Sequence, residues 1–353
     1  MNQRVHESKI LRSTFSINSI CISYMQSRAD MGKLKLSKLF VFMYTIKKLI
    51  IELWNFRPAI IYFQISPHGL AFARDFVFVC LMKLFNIPIV FHLRGKGIRN
   101  KSKLSKLFYK FCFCNEYVIC LSSLLTYDIE DVYKGKPFVV SNGIPDSSFI
   151  GSKALLSNNI PKILFLSNLI ISKGILDFLE ALKIINDKKF KFEGIIVGAE
   201  ADLNSYKLNN TLKSKGLREK IQYLGPKYND EKCRIYHDSD IFVFPTKMSW
   251  ECFPGVILEA MQFNLPVVST REGAISEIVD DEVTGFIVEK SSPQQLAEKI
   301  EILIKNPQLR QQMGQAGRKK YEEKYTLQHF EENMKNVFQE ILEDINIKKQ
   351  SKT

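Results

Sequence analysis

Two glutamates, Glu251 and Glu259, stand on either side of a Pro254-Gly255 pair, just after the apolar run Ile241–Phe244. Pro is favoured in the first turn of a helix, so a helix is expected to begin at Gly255. The backbone N–H groups at such a start have no partner within the helix, and together with the helix dipole they can hold a pyrophosphate. Gly255 would let the phosphate approach closely. Glu251 falls in the loop before the helix, where it can accept hydrogen bonds from sugar hydroxyls. Glu259 falls about one turn inside, where its two oxygens can accept from both hydroxyls of a ribose diol. Taken alone, the same spacing fits two ordinary surface glutamates.

These groups need elements to position them. Short apolar runs alternate with longer helical patterns along almost the whole chain of 353 residues. Strands are expected at Ile17–Tyr24, Ala59–Ile65, Ile89–His92, Tyr117–Leu121 and Phe138–Ser141, then at Lys162–Ser167, Phe192–Val197, Ile221–Leu224, Ile241–Phe244 and Pro266–Ser269. Helices are expected between them, for example over Ser37–Asn55, Leu70–Phe85, Gly174–Asn186 and Gly255–Phe263. Alternation of this kind means βαβ units and parallel sheets, and two series of strands predict two sheets. The expected class is α/β, with two Rossmann-like, doubly wound domains facing a central cleft. The turn-rich segment from Asn142 to Asn159 marks the boundary: 1–150 for the first domain, 151–325 for the second, and 326–353 as a helix crossing back to the first. Ligands of such sheets bind beyond the carboxyl ends of the strands.

The order of motifs is specific. Glu251-x-Phe253-Pro254-Gly255-x-x-x-Glu259-Ala260-Met261 is followed by Pro266-Val267-Val268-Ser269-Thr270, by Gly273-Ala274-Ile275-Ser276-Glu277 and by Thr284-Gly285-Phe286-Ile287-Val288. The set resembles the donor-binding lobe of glycosyltransferase family 4, retaining enzymes with the GT-B fold. The resemblance implies a hexosyltransferase that moves a sugar from a nucleotide-sugar, a UDP-sugar by family frequency, to a lipid-linked or saccharide acceptor. Products would be cell-surface polysaccharide, lipopolysaccharide or glycolipid. Asn168, Lys173, Gly198, Glu251, Phe253, Pro254, Gly255, Val256 and Glu259 would line the donor side, with Lys173 neutralising the departing diphosphate. The family usually carries an arginine where this chain has Asn168, which leaves Lys173 as the main cation. Gly198 resembles the family's loop beside the nucleotide base. By the same resemblance His92 faces the transferred sugar, so His92, Glu251 and Lys173 are the catalytic candidates. His68, Arg94 and Lys96 are the acceptor-side candidates. A GT-B first lobe opens with a strand and a glycine-rich loop. Here residues 1–14 read as the first helix and Ile17–Tyr24 as the second strand, so that opening is expected to be absent.

Charge sharpens the picture of partners. Residues 1–150 carry 21 Lys and Arg against 9 Asp and Glu, while the remainder is almost balanced within a net charge of +13. Arg99, Lys101, Lys103, Lys106 and Lys110 interleave with Leu104, Leu107, Phe108 and Phe111. With Lys33, Lys35, Lys38, Lys47 and Lys48 they suggest basic amphipathic helices suited to an anionic membrane surface. A solvated basic face is the plainer alternative. Nucleic acid is not expected, because no binding motif occurs. No signal peptide is read in Met1–Thr14, and the run Phe76–Phe91 is broken by Lys83, Asn86 and Pro88. The expected location is cytoplasmic, peripheral at the inner face of the cell membrane.

The seven cysteines are scattered without a C-x-x-C, which suggests a reducing compartment and no zinc site. Asp238-Ser239-Asp240 looks like a D-x-D metal motif but precedes a strand, so it is read as a turn. No cofactor and no essential metal are expected. Two other functions stay open: a non-catalytic glycosyltransferase-like binding subunit, and a GT-B-like sugar-nucleotide epimerase.

Overall fold

The computed structural model describes residues 2–20, 36–147 and 160–351. Its chain divides into two compact units, one made of residues 1–140 and 331–353, the other of residues 141–330.

The first unit begins with two short helices, α1 (Asn2–Glu7) and α2 (Lys9–Thr14). Ser8 separates them, and its hydroxyl accepts from the Leu11 amide at 3.1 Å as the cap of α2. Residues 17–20 are not strand, and the rest of the expected Ile17–Tyr24 strand lies outside the described residues. Next come α3 (Leu36–Phe56), β1 (Ile61–Phe63), α4 (Gly69–Leu84), β2 (Ile89–Leu93), α5 (Lys103–Phe113), β3 (Tyr117–Cys120) and β4 (Phe138–Val139). The four strands pair in parallel in the order β1-β2-β3-β4. The interrupted run Phe76–Phe91 is thus the end of α4 followed by β2, and no described helix is long and apolar enough to cross a membrane.

The second unit contains β5 (Lys162–Leu166), α6 (Ile175–Asp187), β6 (Glu193–Val197), α7 (Ser205–Ser214), β7 (Ile221–Tyr223), α8 (Asn229–His237), β8 (Ile241–Phe244), α9 (Gly255–Gln262) and β9 (Val267–Thr270). It continues with α10 (Ile275–Ile278), β10 (Gly285–Val288), α11 (Pro293–Lys305) and α12 (Pro307–Lys324). The last helix, α13 (Leu327–Gln350), starts in this unit and from Glu331 is counted with the first. All six strands are parallel, in the order β10-β9-β8-β5-β6-β7. This is a doubly wound sheet in which the order reverses between β5 and β8, whose pairing runs Ile163↔Ile241 and Leu164↔Phe242. Parallel sheets are covered on both faces, so their strands read as unbroken apolar runs. Accordingly β8 is buried at every position, and Phe165, Phe178, Ile196 and Val243 meet in one core.

Candidate active site

The reversal of strand order leaves a crevice at the carboxyl ends of β5 and β8. Two loops meet there. The loop after β5 ends in a short 3-10 turn, Ile171–Lys173, and the loop after β8 runs from Pro245 to Pro254. The Lys247 amide donates to the Ser172 carbonyl at 2.8 Å and binds the loops together. Gly174, at φ +89°, makes that approach possible, since a Cβ there would lie 2.1 Å from the Pro245 carbonyl oxygen. A third loop, after β9, clamps the second: the Ala274 amide donates to the Cys252 carbonyl at 2.7 Å.

This framework brings Lys173 and Glu251 together. Their side chains form an ion pair, and both are largely shielded from solvent. The Lys173 ammonium also lies 5.4 Å from the centre of the Phe244 ring. Immediately beyond Glu251, α9 begins at Gly255, as the Pro-Gly pair suggests. Burial along the segment is selective: Glu251, Gly255, Val256 and Glu259 are half-buried, while Cys252, Phe253, Pro254, Ile257 and Leu258 are buried. The positions expected to meet a donor therefore share the accessible edge, with two exceptions. Phe253 turns inward and packs edge-on against Tyr325 at 5.8 Å, and Pro254 is buried beside it in sequence. Open space surrounds Gly255, with nothing within 4 Å of where a Cβ would stand.

Glu259 is held from two sides. One oxygen lies 2.7 Å from the Lys232 ammonium, and the other accepts from the Tyr236 hydroxyl at 3.0 Å. Both partners come from α8, four residues apart and hence on one face. Sequence reasoning missed them. Their only local signal is that spacing, in a helix next to the Asp238-Ser239-Asp240 decoy. Within the decoy, Asp240 accepts from the Lys162 amide at 2.8 Å and so ties the start of β5 to β8. Among the described residues no group of three or more His, Cys, Asp or Glu side chains is placed to hold a metal ion.

On the other flank of the crevice, Asn168 and Gly198 shape backbone. The Asn168 side-chain oxygen lies 3.4 Å from the Ala199 amide. Gly198, at φ +151°, passes so near the Ser167 carbonyl that a Cβ would fall 1.8 Å from its oxygen.

In the first unit, the strand carrying His92 runs one residue further than expected, to Leu93. His92 is paired with Ile119 inside the parallel ladder and is fully buried, not placed in a loop. Its Nδ1 lies 2.7 Å from the Tyr62 hydroxyl, and its Nε2 is buried without a hydrogen-bond partner among the described residues. Burial first, then the Arg94 charge, push its pKa well below the usual histidine value, so the ring is neutral. His68 and Lys96 do come together: His68 Nε2–H donates to the Lys96 carbonyl at 2.7 Å. Arg94 and Lys96 are half-buried in the loop after β2. That loop is organised by Asp128, a residue sequence reasoning did not single out. Its buried carboxylate accepts from the amides of Gly97, Ile98 and Arg99 at 2.8, 3.0 and 3.1 Å.

Residues 148–320 match the family described as Glycosyl transferases group 1. An uncharacterised glycosyltransferase of Methanocaldococcus jannaschii is 29% identical over 276 residues, 77% of this chain and 74% of that protein. The capsular polysaccharide biosynthesis glycosyltransferase CapM of Staphylococcus aureus is 30% identical over 247 residues, 66% of this chain and 63% of CapM. The chain thus spans less than two thirds of CapM's own length. Two solved structures share the fold at a TM-score of 0.72 each. A glycosyltransferase from Rickettsia africae is 20% identical, with 88% of this chain and 84% of that one covered. Anabaena HepE in complex with UDP is 18% identical, with 84% and 82% covered. The two parallel-sheet α/β units are those of the GT-B fold.

Proposed function

Because residues 148–320 match the family described as Glycosyl transferases group 1, we propose that this chain transfers a sugar from a nucleotide-sugar with retention of anomeric configuration. The observation that carries the reading is the gathering of Lys173, Glu251, the start of α9 and Glu259 at the strand-order reversal. The α9 amides and Lys173 stabilise the departing diphosphate, Glu251 holds the sugar hydroxyls and Glu259 the ribose. The bond between the anomeric carbon and the phosphate oxygen breaks. The acceptor hydroxyl bonds to that carbon on the same face, and its proton passes to the leaving diphosphate, so no separate protein base is required. His92, buried and neutral, acts through the strand and the Tyr62 hydroxyl it touches.

UDP is the preferred donor nucleotide in this proposal, in line with the UDP that HepE binds. The acceptor is lipid-linked or saccharide, for surface polysaccharide of the kind CapM's name describes. The enzyme works at an anionic membrane surface on the cytoplasmic face. Support comes from α5, where Leu104, Leu107, Phe108 and Phe111 are exposed between lysines, and from Phe40, Tyr44 and Trp54, exposed on α3. Both helices pack on α4. Lys47 and Lys48 belong to α3, whereas Lys33 and Lys35, and the side chain of Lys38, lie outside the described residues.

The test is nucleotide release from UDP-, GDP- and ADP-sugars with a lipid-linked acceptor. Release that needs acceptor and is lost in Glu259→Ala supports the proposal. A second reading, a binding subunit without turnover, is favoured by the seclusion of His92. Nucleotide binding without release under any pairing would select it.

A further inference from the structure

We propose that Tyr236 is a positioning residue of the nucleotide site, its phenol fixing one carboxylate oxygen of Glu259 so that the other is presented to a vicinal diol. The inference rests on the donor-site reading above and adds the group that makes Glu259 competent.

Packing holds the Tyr236 ring in place. Its ring is fully buried, stacked on Phe263 at 5.8 Å with an interplanar angle of 2° and tilted against Phe242 at 5.8 Å. Phe242 belongs to β8 and Phe263 follows α9, so the ring is wedged between the strand and helix that frame the site. From that anchor the hydroxyl reaches the Glu259 oxygen at 3.0 Å, with the Val256 carbonyl at 3.3 Å. Both of these groups only accept, and the phenol has one proton, so the shorter contact to the charged partner takes it.

The second Glu259 oxygen faces outward, 2.7 Å from Lys232. Lys232 and Glu259 keep about a quarter of their side-chain surface in water, whereas Tyr236 keeps none. The two partners of the carboxylate therefore differ in kind. Lys232 is a flexible cation at the rim that an arriving ligand can displace or share. Tyr236 is a fixed donor behind. A carboxylate offers about four lone-pair directions. Tyr236 takes one on the inner oxygen, and when an arriving ligand displaces Lys232 the outward oxygen offers both of its directions to the hydroxyls of a diol. Without the phenol, the Glu259 side chain is free to turn, and each diol bond must first order it.

The experiment is nucleotide binding to the full chain by calorimetry, with UDP, GDP and ADP and their 2′-deoxy forms as probes. Four proteins are compared: wild type, Tyr236→Phe, Glu259→Gln and the double variant. Tyr236→Phe removes only the hydroxyl and keeps the stacked ring. The expected result is a Kd for the bound ribonucleotide raised about tenfold, a loss of preference over the 2′-deoxy form, and no further loss when Tyr236→Phe is added to Glu259→Gln. A Kd for Tyr236→Phe equal to wild type, while Glu259→Gln weakens binding, would overturn the tether alone. So would an equal weakening of ribo- and deoxynucleotides that adds fully in the double variant, the mark of a purely structural role. If Glu259→Gln binds as wild type does, the donor-site reading falls and the tether with it.

Discussion

Lys173 and Glu251, 78 positions apart in sequence, form an ion pair across the loops that follow β5 and β8. The lysine is the cation expected to meet a diphosphate, and the glutamate the carboxylate expected to meet the sugar. In the structure each is the other's partner. On the proposed function, a diphosphate that claims Lys173 would release Glu251 for the sugar hydroxyls. Lys173→Met is expected to slow turnover about a hundredfold or more, since a preorganised charge on a leaving group is worth that much. It also strands a shielded carboxylate, so a loss of about 1–3 kcal/mol in stability should accompany it. Initial rates and thermal melts check both. A variant with wild-type kcat would remove Lys173 from the chemistry.

Glycine at the crossing of those loops can be tested by contrast. Gly174 has φ +89° and no room for a Cβ, whereas Gly216 has φ +66° and nothing within 4 Å. Gly216→Ala should cost about 1 kcal/mol of backbone strain and leave activity intact. Gly174→Ala carries the same strain plus a collision with the Pro245 carbonyl, which pushes the Lys173 turn away from Glu251. Donor binding should fall at least tenfold in Gly174→Ala and stay unchanged in Gly216→Ala. Equal behaviour of the two would show that the close approach does not matter.

Much of this site is legible in the sequence because its determinants are local. Four apolar residues in a row, Ile241–Phe244, followed by a Pro-Gly break, define β8 and the start of α9 as found. β10 was visible as the motif Gly285-Phe286-Ile287-Val288, yet only its pairing with β9 makes it a strand. The partners of Glu259 could not be read in advance. Lys232 and Tyr236 reach it through the packing of α8 against β8 and α9, which no spacing within the chain encodes. The end of the strand that carries His92 was misplaced for a related reason. A strand covered on both faces buries a polar residue along with its neighbours, and the pattern Ile89–Leu93 does not say where the sheet stops.

That burial has a pH consequence. Folding holds His92 neutral well below the ordinary histidine value, by burial and then by the Arg94 charge. Below about pH 6.5 an unfolded chain takes up a proton at this histidine, while the folded chain does not. Stability is therefore fully present above that pH and declines as pH falls toward the folded pKa, by at most about 1.4 kcal/mol per unit. Thermal melts between pH 5 and 8 should show the decline in wild type and less of it in His92→Gln. An identical slope in both proteins would assign the acid sensitivity elsewhere.

The exposed face of α5 yields a prediction about surfaces. Leu104 and Leu107 keep 68% and 58% of their surface in water, and Phe108 and Phe111 stand half-exposed beside them. Lys106 is tied to Asp131 at 2.6 Å, which leaves Lys101, Lys103 and Lys110 as the charges for a lipid headgroup layer. Each such lysine is worth about 1 kcal/mol near an anionic surface, and the leucines add apolar area once inserted. Lys103→Glu combined with Lys110→Glu should cut sedimentation with phosphatidylglycerol vesicles about tenfold or more, and salt should weaken wild type similarly. Leu104→Ser with Leu107→Ser should weaken binding even at low salt, because it removes the inserted area and not the charge. Both pairs lie in the first unit, whereas Glu251 and Glu259 belong to the second, so nucleotide affinity in solution should not change. Wild-type binding to vesicles by both variants would show that α5 does not meet the membrane.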